Sequence, residues 1–264
     1  MSEVPSVASS ADPAVARRLR KLRLYNIIMG LFHAAQGVVI LLLANGFALP
    51  VTGTFLEGPP GGPEPRTVRT LFEIRTAWGV AAFVFLSALA HWLLASPGIY
   101  EWYAKNLLRG RNYARWIEYS LSSSVMVVLI AQLTGITDVA ALAAVFGVNA
   151  AMILFGLLME HYESPGKPNW LSYAFGCLTG AVPWIAIALY LWSPGVAAEP
   201  PAFVYGIFFS LFVFFNVFAL NMVLQYRQVG KWRDYLFGET AYVFLSLTAK
   251  SLLAWQVFAG TLAS

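Results

Sequence analysis

Charged residues are scarce in this chain. Its 264 residues include 17 Lys and Arg and 13 Asp and Glu, or 11%, where soluble domains carry roughly 25%. Together with 59% apolar residues, this excludes a soluble globular domain and a disordered chain. A single cysteine, Cys177, excludes an internal disulfide framework and leaves the redox compartment open. The first 15 residues are polar and small, so no secretory signal is expected. No internal repeat is evident, and no room is left for a second domain. A net charge of +4 would suit nucleic acid, but the placement of the basic residues accounts for it differently.

Long stretches without acid or base are abundant. About 20 apolar residues cross a bilayer as a helix, and seven segments meet that length: roughly 24–45, 76–95, 114–134, 139–159, 170–192, 202–224 and 240–262. Only helices or closed barrels satisfy their backbone in lipid. The fold class predicted is therefore an all-α membrane protein, a seven-transmembrane-helix bundle in a lipid bilayer. Residues 1–23 are expected to form an N-terminal tail, disordered over 1–14, and 24–262 the transmembrane domain. The segment 46–70 reads as a loop in which the alternating VTGTF is a candidate strand and the Pro/Gly run a turn. The polar and aromatic segment 96–113 is expected to contain an interfacial helix.

Thirteen Lys and Arg fall on one side of these spans: Arg17, Arg18, Arg20, Lys21, Arg23, Lys105, Arg109, Arg111, Arg115, Lys167, Arg227, Lys231 and Arg233. The other side has Arg66, Arg69 and Arg75. The positive-inside rule then predicts a multi-pass protein of the cell membrane with its N-terminus cytoplasmic and its C-terminus extracellular. The basic excess serves topology, and no nucleic-acid partner is needed.

Lys250 is the remaining base. It sits near the middle of the seventh span, too deep to reach water easily. An ionisable residue at that depth is a functional hypothesis. It is either half of a structural ion pair between helices or a Schiff-base lysine, since a desolvated amine is nucleophilic toward an aldehyde. Glu118, one turn into the third span, is the natural partner for a buried cation. The competing reading pairs Glu118 with Arg115 at i−3. His33 and His91 fall at similar depth, between Lys250 and the basic side. Ser87 and His91 share a helix face at i, i+4, as do Glu239, Tyr242, Ser246 and Lys250. His33 and His91, with Glu118, Ser87 and Ser246, would make a polar, proton-accepting pocket. Tyr119, Ser122 and Met126 on the third span, Met152 and Gly156 on the fourth, Trp184 on the fifth, and Phe215 and Asn216 on the sixth supply a flat slot that would suit a polyene. No metal site is assigned.

Seven helices with a Lys in the last one resembles the retinal-binding rhodopsins. The segments RWIEYSLSSSVM (115–126), FGLLMEHYE (155–163) and YVFLSLTAKSLLAWQVFAG (242–260) are similar to heliorhodopsins, as is a cytoplasmic N-terminus. The resemblance covers residues 22–262. It implies all-trans retinal on Lys250 as a protonated Schiff base, with Glu118 as sole counterion. His33 and His91, with Ser87 and Ser246, would form the cytoplasmic-side pocket that handles the released proton. It further implies a homodimer through extracellular loop 46–70, a slow photocycle and little pumping. The function expected is a non-enzymatic photoreceptor with an unidentified cytoplasmic signalling partner. Ordinary microbial rhodopsins carry an Asp where this chain has Ser246, and no second acid follows Glu118 on the third span. The rival readings are a light-driven ion transporter or channel of the same fold, and a non-photochemical transporter with a structural Lys–Glu pair.

Overall fold

The computed structural model describes residues 12–62, 66–192 and 200–262. Helix α1 spans Pro13–Leu43. Strands β1 (Ala48–Leu56) and β2 (Arg66–Arg75) follow and pair antiparallel, from Ala48 opposite Arg75 to Leu56 opposite Arg66. Then come α2 (Thr76–Ala95), α3 (Ile99–Leu108), α4 (Tyr113–Leu133), α5 (Val139–Tyr162), α6 (Leu171–Leu191) and α7 (Ala202–Tyr226). A 3₁₀ turn, Gly230–Arg233, leads into α8 (Tyr235–Val257), which closes with a π turn, Phe258–Leu262. Seven of these helices are long and apolar enough to cross a membrane, all but the short α3.

The first span begins earlier than its charge-free stretch. Asp12 caps α1 through its side chain onto the Ala14 amide, and Pro13 occupies the first turn, where a missing N–H costs nothing. The five basic residues 17–23 are therefore helical and not a loose tail. Of the disorder expected over 1–14, residues 1–11 lie outside the described residues, while 13 and 14 are in the helix. The loop 46–70 is largely a β-hairpin. VTGTF lies in β1 as expected, and RTVRTLFEIR pairs with it. The interfacial helix expected within 96–113 is α3, which buries Tyr100, Tyr103, Ala104 and Leu107 and exposes Ile99, Trp102 and Leu108.

Helix α1 packs on α2, α2 on α4, α4 on α5, α5 on α6 and α7 on α8, with α8 also touching α1 and α2. The hairpin end of the bundle is filled by an apolar core that includes Phe83, Val84, Ile130, Ile187, Ile207, Leu211 and Leu253. Outward-facing Leu31, Leu42, Trp78, Leu178, Leu189 and Phe244 are more than half exposed, as a lipid-facing surface requires. Lipid gives no hydrophobic drive between helices, so close packing and internal polar contacts hold such a bundle together. The buried ion pairs of Arg115 sit in the half of the bundle that carries the N-terminus.

Candidate functional site

Lys250 lies on the inner face of α8, 3% exposed. A lone ammonium there would be very costly, and its surroundings satisfy it. Its Nζ donates to Glu118 Oε1 at 2.8 Å and to Ser246 Oγ, one turn back on α8, at 3.0 Å. Ser87 Oγ on α2 donates to the same Glu118 oxygen at 2.6 Å. Nζ also stands 5.0 Å from the centroid of the Tyr119 ring, within the range where a ring face attracts a cation. Tyr119 donates to the Tyr242 carbonyl at 2.9 Å, which ties α4 to α8 beside the lysine.

The two histidines stand close by but are bonded differently from Ser87 and Ser246. Their rings stack with centroids 5.6 Å apart and 12° between planes. His91 Nδ1 lies 2.7 Å from Asn26 Oδ1. Amide oxygens only accept, so this nitrogen carries the hydrogen. Both ring nitrogens of His33 are without a hydrogen-bond partner. The four residues expected to form one polar pocket thus divide: Ser87 and Ser246 touch the Lys250–Glu118 pair, while His91 and His33 form a second, stacked layer in which His91 is bonded to Asn26.

On the other side of Lys250 opens a cavity of about 310 Å³. Tyr119, Ser122, Met126, Met152, Gly156, Trp184, Phe215 and Asn216 all line it, together with Trp116, Phe212, Phe218, Tyr242, Ser246 and Lys250. Trp184 forms one wall, held edge-on by Phe208, Phe212 and Phe215 at 5.4–5.5 Å. Two glycines set its width. A Cβ on Gly156 would stand 2.4 Å from the Trp116 ring, and one on Gly180 would stand 2.5 Å from Met152 Sδ.

Arg115 is not paired with Glu118. It is buried between Glu160 on α5, at 2.7 Å through Nη2, and Glu239 on α8 through Nη1. Its guanidinium carbon lies 4.0 Å from the Tyr242 ring centroid and 4.7 Å from that of Trp116. Glu160 also accepts from the Asn112 amide at 3.0 Å, from Tyr235 Oη at 2.7 Å and from Trp116 Nε1. Glu239 also accepts from Asn112 Nδ2 at 2.6 Å. Besides Glu118, two further carboxylates, Glu160 and Glu239, are thus buried inside the bundle. Charge-free segments ending at 159 and beginning at 240 cut off Glu160 and Glu239. The signal that could have found them is their placement: Glu239 begins the i, i+3, i+7, i+11 row that ends at Lys250.

A second cavity, of about 30 Å³, joins the two groups. Ser87, His91, Glu118 and Asn26 line it, as do Tyr103, Asn112, Arg115 and Glu239. Burial first, and the negative charge of Glu239 next, hold the Tyr103 phenol well above its ordinary pKa, so this ring enters the cavity as a protonated donor. Among the described residues, the buried Arg115, Glu160 and Glu239 lie near the helix ends on the side of the bundle that carries the N-terminus.

A family model described as Heliorhodopsin matches residues 22–262. No curated protein matches the chain. Among solved structures, the crystal structure of a light-driven proton pump, LR (Mac), from Leptosphaeria maculans is similar, with 14% identity over 92% of this chain and 94% of that one and a TM-score of 0.62. At that identity the likeness concerns the fold.

Proposed function

The chain belongs to the heliorhodopsin family, retinal proteins of the microbial rhodopsin type, and from that premise we propose that it is a light sensor that moves a proton within the membrane without net transport. The single observation that carries this reading is the 2.8 Å contact of Lys250 Nζ with Glu118 at one end of an aromatic-walled cavity. The cavity suits an elongated polyene aldehyde: it is apolar along its length and ends at an amine.

Lys250 would hold all-trans retinal as a protonated Schiff base. Bound there, retinal supplies visible absorption and a change of shape on illumination. The protein's own residues do the rest. Glu118 fixes the proton on Nζ by charge and hydrogen bond. In the free lysine Ser246 accepts from the same nitrogen, while the single N–H of the imine would go to Glu118; Ser87 donates to the Glu118 carboxylate, which keeps the pair in register. Trp184 and its three phenylalanines hold the slot's shape.

A proton leaving Nζ meets His91, His33 and the carboxylates on one side only. Vectorial transport needs proton groups on both sides of the site, so release and return through one pocket favours sensing over pumping, with a slow cycle. The thirteen basic residues at the N-terminal end favour a cytoplasmic N-terminus and an extracellular hairpin. The charge change would then be delivered toward the cytoplasm, where a signalling partner would read it. Phe55, Leu56, Val68 and Phe72 are exposed on the hairpin, and they favour a homodimer through this element.

Adding all-trans retinal to the purified apoprotein tests the reading. A stable visible band that bleaches and recovers on illumination, with no light-driven pH change or current in intact cells, is expected. Absence of any visible band, or a sustained photocurrent, would overturn it.

A further inference from the structure

Two buried carboxylates share one buried guanidinium in the Glu160–Arg115–Glu239 cluster. With both acids ionised the cluster carries one uncompensated negative charge inside the bundle, which desolvation makes costly. A single proton removes that excess. The two acids are not equivalent as its destination. Glu160 accepts from four donors: the Asn112 amide, Arg115, Trp116 and Tyr235. Glu239 accepts from two, Asn112 Nδ2 and Arg115. Hydrogen bonds to the charged form favour it, and Glu239 has fewer of them than Glu160.

Glu239 also has the access. It lines the 30 Å³ cavity that Glu118, Ser87 and His91 line from the other end, and Glu160 does not. A polar void of that volume is large enough for about one water with several partners. The groups that face Glu239 or its cluster are Arg115, Glu118 and Tyr119 from α4, Glu160 from α5, His91 from α2, Tyr103 from α3, Tyr226 from α7, and Tyr235 and Tyr242 from its own helix. Asn26 on α1 is neutral. Arg115 is the cation among them.

On the reading that Lys250 holds a protonated linkage, we propose that Glu239 is the carboxyl on which the proton from Lys250 Nζ comes to rest. The N–H bond breaks with its electron pair left on nitrogen. An O–H bond forms on Glu239, and the cluster passes from one net negative charge to neutral. His91 and the cavity water relay the proton and do not keep it. Neutral Glu239 then holds Arg115 less strongly, which loosens the tie between α8 and α4 at the end of the bundle where the basic residues gather.

Difference infrared spectroscopy on the retinal-reconstituted protein tests this. Light should raise a carboxylic-acid C=O band together with loss of the Nζ proton. That band should vanish in Glu239→Gln, shift in Glu239→Asp, and persist in Glu160→Gln. If Glu239→Gln does not fold, the aspartate variant decides, and an unmoved band overturns the proposal. So does a wild type that loses the Nζ proton with no new carboxyl band, or a band that Glu239→Gln leaves intact. The apoprotein gives a readout that needs no pigment. On acidification, the exchange-resistant carboxyl band that appears at the highest pH should be the one lost in Glu239→Gln. Loss of it in Glu160→Gln or Glu118→Gln instead would overturn the assignment. Absence of pigment would refute the light-sensor reading, while the apoprotein titration would still judge Glu239.

Discussion

Arg115 and Glu118 stand one turn apart on α4 and make no ion pair with each other. Arg115 binds Glu160 and Glu239, and Glu118 binds Lys250. One helix thus carries a cation for two acids and, a turn later, an acid for one cation. The two pairings serve different ends, and the variants below separate them.

Arg115→Ala leaves Glu160 and Glu239 buried together without their cation. Removing one member of a buried ion pair costs about 3–5 kcal/mol. Thermal unfolding in detergent should show a large drop in Tm, well beyond that of Glu118→Gln, which keeps its shape and its hydrogen bond from Ser87. Equal Tm values for Arg115→Ala and wild type would mean the cluster does not hold α4, α5 and α8 together.

Lys250→Ala should abolish covalent pigment formation while leaving a folded membrane protein, since Glu118 keeps its hydrogen bond from Ser87 and the lost side chain opens onto an existing cavity. Incubation with retinal followed by acid denaturation checks it. An acid-stable protein–retinal adduct in this variant would place the attachment elsewhere.

His33→Ala combined with His91→Ala should change the rise and decay of the deprotonated intermediate more than the dark spectrum. Neither imidazole touches the Lys250–Glu118 pair, and His33 makes no hydrogen bond at all. Flash spectroscopy is the measurement. Unchanged kinetics would reduce the stacked rings to packing.

Gly156→Ala should weaken retinal uptake more than Gly180→Ala. The added methyl at 156 meets the rigid Trp116 ring, whose Nε1 is fixed on Glu160. At 180 it meets the flexible end of Met152, which can swing aside. Titrating apoprotein with retinal should show slower and less complete pigment formation in Gly156→Ala. The reverse order would mean that Trp116 does not set the slot's width.

Much of this was legible because lipid leaves few choices. Seven charge-free stretches correspond to the seven long helices, and Lys250 and Glu118 stood out because charge is costly at that depth. The eight slot residues also line one cavity, since helical spacing put them on inward faces. What escaped were charges whose cost is cancelled by distant partners. Glu160 and Glu239 sit at the ends of α5 and α8, and only Arg115 on a third helix makes their burial tolerable. Linear spacing offered Arg115 the nearer Glu118 instead. Strand β2 escaped because Arg66, Arg69 and Arg75 dominate a segment whose apolar residues, Val68, Leu71 and Phe72, face outward.

Whether Glu118 neutralises the cation on Lys250 is decided by a pH titration of visible absorbance in wild type and Glu118→Gln. Glutamine keeps the shape and removes the charge. The variant should lose its visible, protonated form at lower pH than wild type. Whatever remains protonated should absorb at longer wavelength, because the positive charge spreads along the polyene without its anion. Added chloride should partly restore both properties. If the two proteins titrate together and share one absorption maximum, Glu118 is not the counterion, and the 2.8 Å contact with Lys250 is structural only.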